Sequence, residues 1–113
     1  MKKWIGKVII FIGIIHLVFG FISYRTAWAE MLRSGLFNTV DSQLEHQAAF
    51  WFIVFGMLVL ILGGLIDWCE GHKQVLPKFL GWSLLALSIV GIVMMPISGW
   101  WFLLIPAIGA IRQ

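Results

Sequence analysis

The run from Val8 to Tyr24 carries no formal charge, and it belongs to the first of four apolar stretches that take up most of the chain: residues 4–24, 48–68, 79–95 and 98–111. A bilayer hydrocarbon core about 30 Å thick needs roughly 17 to 25 helical residues to cross it, and inside it every backbone N–H and C=O must be bonded within the chain. All four stretches reach or approach that length. With 61% hydrophobic residues, 12% charged residues, seven Trp and nine Phe in 113 residues, the chain carries more apolar surface than a soluble domain of this size can bury. The reading is therefore all-α: an integral membrane four-helix transmembrane bundle, one domain over residues 1–113, with a short interfacial helix between spans 1 and 2.

Lys2 and Lys3, an apolar run and then Ala27-Trp28-Ala29 imitate a secretory signal with a small-x-small cleavage site. The apolar core is longer than the usual h-region of about 7 to 15 residues, which favours an uncleaved first span. Orientation follows from the basic residues flanking the spans. Lys2, Lys3, Lys7, Lys73, Lys78 and Arg112 fall on one side, Arg25 and Arg33 on the other. This asymmetry places both termini and the turn near Gly71 in the cytoplasm, and the segment from Arg25 to Gln47 outside.

That outer segment has its own pattern. Residues 26–33 can form a helix with Trp28, Met31 and Leu32 on one side and Glu30 and Arg33 towards water, as suits an element in the membrane interface. Gly35 should stop it, Leu36-Phe37 should dip back to the apolar surface, and Asp41 or Ser42 should cap the second span. Arg25 and Arg33 against Glu30, Asp41 and Glu45 leave no basic surplus, so nothing here points to nucleic acid or to a polybasic lipid patch.

Small residues recur every seven positions: Gly6, Gly13 and Gly20 on the first span, Ala49, Gly56 and Gly63 on the second, and Gly81 with Ser88 on the third. Such a repeat draws one stripe along each helix, the seam where helices approach closely in left-handed bundles. His16 sits between Gly13 and Gly20 and so lies on the seam. Counting residues inward from the ends puts His16, Gly56, Ser88 or Gly91, and the Ser98-Gly99 turn at one depth, with Trp51, Trp100 and Trp101 among the walls above. Two readings of His16 stand. In one, the imidazole bonds a backbone carbonyl or Ser88 on a neighbouring helix; in the other, it lines an outward-facing pocket and binds or protonates something there. Haem ligation would need a His16 pair in a homodimer, because His46 and His72 belong near opposite surfaces.

Asp67, Cys69, Glu70 and His72 crowd the inner end of span 2. No spaced ligand pair repeats downstream, so the expectation is no metal, with Asp67 or Glu70 paired to Lys7, Lys73 or Lys78. A lone cysteine excludes an intrachain disulfide. Trp4, Trp68 and Trp82 on the inner side, and Trp28, Trp51, Trp100 and Trp101 on the outer, suit interfacial anchors. The sequence has no nucleotide-binding loop, no nucleophile beside a base and no midplane carboxylate pair. An enzyme is disfavoured and no cofactor is expected.

GIIHLVFG, SGLFNTVD, AFWFIVFG, LPKFLGW and MMPISGWW, in that order, resemble the bacterial membrane family called domain of unknown function 6463, over nearly the whole chain. The resemblance implies a small four-span protein of a bacterial inner membrane with no assigned activity, and adds interest to His16, Asn38, Phe50, Trp51, Pro96 and Ser98. The functional expectation is an outward cavity near His16, with Trp51, Gly56, Ser88, Ser98 and Trp100, that binds a small apolar or amphipathic molecule such as a lipid or quinone-like compound. The alternative is a structural or accessory subunit, or a homo-oligomer, packing through the glycine seams. The expected partners are membrane lipids and a second copy or a larger membrane protein.

Overall fold

The structure, a computed structural model, describes residues 3–41, 43–96 and 100–112. Each apolar stretch is helical. Among the described residues there are five helices and no strand: α1 (Ile5–Ser23), α2 (Arg25–Arg33), α3 (Leu44–Gly71), α4 (Lys78–Met94) and α5 (Trp100–Arg112). At 1.5 Å per residue, α1 and α3 run about 28 and 42 Å, and α4 and α5 about 26 and 20 Å. By length and composition α1 and α3 are the two described helices able to cross a membrane, while α4 and α5 are shorter apolar helices. Two of the four expected spans thus have the length to cross, and α4 keeps the length expected of the third stretch. Pro96 explains where α4 ends, since it has no N–H to continue the helix and biases Met95, at φ −141° and ψ 75°, away from helix.

α1 and α3 run antiparallel at very close approach, and glycine makes that approach possible. A Cβ on Gly6 would overlap the Asp67 backbone; one on Gly13 would lie 2.8 Å from the Leu60 side chain; one on Gly20 would lie 2.6 Å from Phe52. From the other side, a Cβ on Gly63 would lie 2.8 Å from the Ile10 backbone nitrogen, and one on Gly56 would lie 2.7 Å from the Leu17 side chain. Each step of seven on α1 meets a step of seven on α3. Ala49 departs from the stripe, because at that level α2 has replaced α1 as its neighbour: Ala49 packs with Ala27 and Met31. A second close pair forms between α4 and α5, where a Cβ on Gly81 would lie 2.8 Å from the Ile111 backbone nitrogen.

α5 lies against α1, with Gly109 under the Trp4 indole, and α4 packs on α5. α3 and α4 have no close backbone approach, so the helices do not close into a symmetric ring of four. The main core joins them through Ile5, Ile9, Ile66, Leu76, Leu84, Leu103, Ala107 and Ala110.

α2 begins directly after Tyr24 and ends where Gly35 turns left-handed at φ 89°, followed by Leu36 and Asn38, also at positive φ. Its buried residues are Ala27 and Met31, whereas Leu32 is exposed, so its apolar side is rotated from the expected one. Phe37 is 91% exposed. The residue before α3 is Gln43, extended and with no side-chain cap, so Asp41 does not take the capping role expected of it, and Ser42 lies outside the described residues.

Gly13→Leu and Gly56→Leu should each destabilise the protein by about 1 to 3 kcal/mol, the usual cost of overpacking. Gly64→Leu is the proper control, because nothing lies within 4 Å of a Cβ there. Gly109 is not, since a Cβ there would meet Trp4 at 2.5 Å. Thermal unfolding in detergent reads the difference, and equal losses at Gly13, Gly56 and Gly64 would show that the glycines are not the contact line.

Candidate functional site

His16 is the ionisable side chain in the middle of α1, and it turns towards α3. Its Nε2 lies 2.8 Å from the Phe52 carbonyl oxygen. A carbonyl can only accept, so Nε2 carries the proton and donates. Gly56, four residues on, is that carbonyl's ordinary helical partner, and its missing side chain gives the imidazole room: a Cβ there would sit 3.0 Å from His16 Cδ2. The ring stacks on Phe52 at 3.8 Å and 9° and meets Phe55 edge-on at 5.4 Å. The half-buried His16 thus has one nitrogen satisfied, and Nδ1 has no hydrogen-bond partner among the described residues.

The other residues expected beside it are dispersed. Gly56 is at His16. Ser88 is fully buried in α4, but its Oγ donates to Leu84 of its own helix at 2.7 Å. The Trp100 indole fills the notch at Gly91, and its ring lies 5.7 Å from Phe55, so it borders the His16 aromatics without touching His16 in any described contact. Trp51 is 64% exposed with Phe50 edge-on against it, and it faces outward. Ser98 lies outside the described residues. Trp101 Nε1 donates to the Pro96 carbonyl at 2.9 Å.

At the Gly71 end of α3 the acidic cluster divides its work. Lys7 Nζ meets Asp67 at 2.6 Å on the surface. Glu70 turns inward instead: fully buried, it accepts the Gly6 N–H at 2.7 Å and the Ile5 N–H at 3.2 Å. These are donors of the first turn of α1, which has no acidic residue and no capping side chain of its own. An acceptor therefore had to come from elsewhere in the chain, and that missing cap is the signal in the sequence that points towards Glu70. His72 Nδ1 bonds the Trp68 carbonyl of its own helix at 2.8 Å. Lys78 Nζ donates to the Ile111 carbonyl at 2.7 Å, at the end of α5. No group of three His, Cys, Asp or Glu side chains among the described residues is placed to hold a metal.

At the opposite end of α3, beside α2, one cluster has no local sequence signal. His46, 5% exposed on the first turn of α3, places Nδ1 2.9 Å from the Thr39 carbonyl and Nε2 3.0 Å from the Glu30 carboxylate. It ties α2, the turn after it and α3 together across 7 and 16 residues. The Glu30 hydrogen bond, more than any other influence, raises the His46 pKa above the ordinary histidine value, with the Thr39 carbonyl adding to it.

Comparison with known proteins finds no curated protein and no solved structure that matches. The model of the family of unknown function DUF6463 matches residues 1–113. The match extends from one end of the sequence to the other: the chain belongs to this family of unknown function.

Proposed function

We propose that the chain is a multi-pass protein of a bacterial inner membrane that binds a small amphipathic molecule, a lipid or a quinol-like compound, at the face of α1 and α3 beside His16. The observation that carries this reading is the unspent Nδ1 of His16. With Nε2 donating to Phe52, Nδ1 is an acceptor, half-buried among aromatic rings in a helix that is otherwise apolar. An acceptor in that setting favours a ligand with an O–H or N–H to give and an apolar body to lay on Phe52 and Phe55. Packing of a second copy through the glycine seams lacks such support, because Gly6, Gly13, Gly20, Gly56, Gly63 and Gly81 already face the chain's own helices.

In this reading both termini face the cytoplasm. Lys7, Lys73, Lys78 and Arg112 gather at the end where Lys7 meets Asp67 and Lys78 meets Ile111, whereas Arg25 and Arg33 lie on α2. A reporter fused after residue 113 should be active only inside the cell; activity only outside would reverse the orientation.

The ligand is tested with His16→Gln and His16→Leu by native mass spectrometry in mild detergent. Glutamine retains a donor for Phe52 and an acceptor beside it, so it should keep a copurifying molecule that the parent carries. Leucine removes both and should lose it, at little cost in folding, since interhelical hydrogen bonds in membranes average about 0.6 kcal/mol. A stable His16→Leu protein that retains the molecule would remove His16 from its binding.

A further inference from the structure

His46 faces two groups that only accept. The Thr39 carbonyl stands at Nδ1 and the Glu30 carboxylate at Nε2, at 2.9 and 3.0 Å. Both bonds form together only when both ring nitrogens carry protons, that is, as imidazolium. The charged groups that act on the ring are Glu30 on α2 and Glu45 beside it on α3. Both are acids that favour the cation. Glu30 also borders a shallow depression on α2 with Arg25, Thr26, Ala29 and Arg33, so its carboxylate, 45% exposed, gives water a route to the buried ring.

We propose that the His46 imidazolium is a pH-operated latch that fixes the turn over residues 34–41 to α3, and that loss of its proton releases that turn while α2 stays docked. The direction of release follows from the acceptors. Neutral imidazole keeps one N–H, and the carboxylate is the stronger acceptor, so the proton remains on Nε2 towards Glu30. Nδ1 then presents a lone pair to the Thr39 carbonyl oxygen, and that contact turns repulsive. Other contacts hold the two ends of the turn: the Leu36 N–H bonds the Met31 carbonyl, the Thr39 hydroxyl bonds the Leu36 carbonyl, and Val40 packs against Ala27, Met31 and Ala49. The release is therefore felt at the tip, where Leu36 and Phe37 are exposed and Gly35, Leu36 and Asn38 stand at positive φ. α2 retains Glu30 and the packing of Ala27 and Met31 on Ala49. Because the folded-state pKa of His46 is raised, the stabilisation is complete below the ordinary value of 6.5 and is lost as pH rises through the raised value.

A nitroxide on Phe37→Cys, in a Cys69→Ser background, reads the mobility of the turn in the full-length protein; a second on Leu32→Cys, an exposed α2 position, is the control. The label at position 37 should become mobile as pH rises through the His46 titration, and the label at position 32 should not. Glu30→Gln should lower the midpoint by about one to two pH units, the loss of a charge-assisted hydrogen bond. His46→Gln should abolish the pH dependence. An unchanging line shape at position 37 in the parent, or a transition with the same midpoint in Glu30→Gln, would overturn the latch; the second variant keeps the test decisive if His46→Gln does not fold.

Discussion

Ile5 and Gly6 open α1 as buried residues, and the Glu70 carboxylate, itself without solvent exposure, accepts both of their N–H groups. The pairing is mutual. A helix N-terminus carries a partial positive charge that a carboxylate neutralises, and a buried carboxylate survives only where such donors surround it. It also demands proximity, and Gly6 supplies that, because a side chain there would overlap the Asp67 backbone. Once the inner ends of α1 and α3 are held this way, the sevenfold spacing of glycine carries the close approach outward past Gly13 and Gly56 to Gly20. α5 then settles against Ile5 and Trp4, and α4 against α5.

This arrangement leaves little polar capacity in the middle of the apolar helices. Ser88 bonds within α4 and the His16 Nε2 bonds α3, which isolates the His16 Nδ1 as the unspent acceptor on that face. The outer end follows a different logic. There α2 is held on α3 by a small apolar cluster and by one histidine with two acceptors, and an interaction that depends on a single proton is easier to undo than a glycine seam.

Helix positions are legible in the sequence, because long apolar runs satisfy their own backbone hydrogen bonds as helices. The stop at Gly35 is legible because a left-handed residue favours glycine. The glycine stripes could be read from spacing alone, and so could the place of His16 between Gly13 and Gly20. What spacing could not give is which helix faces which stripe. Ala49 shares the heptad of Gly56 yet meets α2, and Ser88 continues the heptad of Gly81 yet spends its hydroxyl on its own helix. Spacing gives His16, Gly56 and Ser88 a common depth with Trp51 above them, but equal depth does not imply a shared face. Glu70 and Asp67 lie less than one turn apart, and only the tertiary contact separates the buried cap from the surface ion pair. His46 and Glu30 are joined across a turn whose positive-φ residues Leu36 and Asn38 no local rule would place.

The claim on which the rest depends is that Glu70 holds α1 in place. Thermal unfolding of Glu70→Gln beside Asp67→Asn in the same detergent tests it most directly. Glutamine keeps the shape but loses the charge and one acceptor, and it sets an amide N–H₂ against a backbone donor, so a loss of about 1 to 3 kcal/mol is predicted. Asp67→Asn removes an exposed ion pair and should cost about 0 to 1 kcal/mol. A Glu70→Gln protein as stable as the parent, or no less stable than Asp67→Asn, would contradict the account.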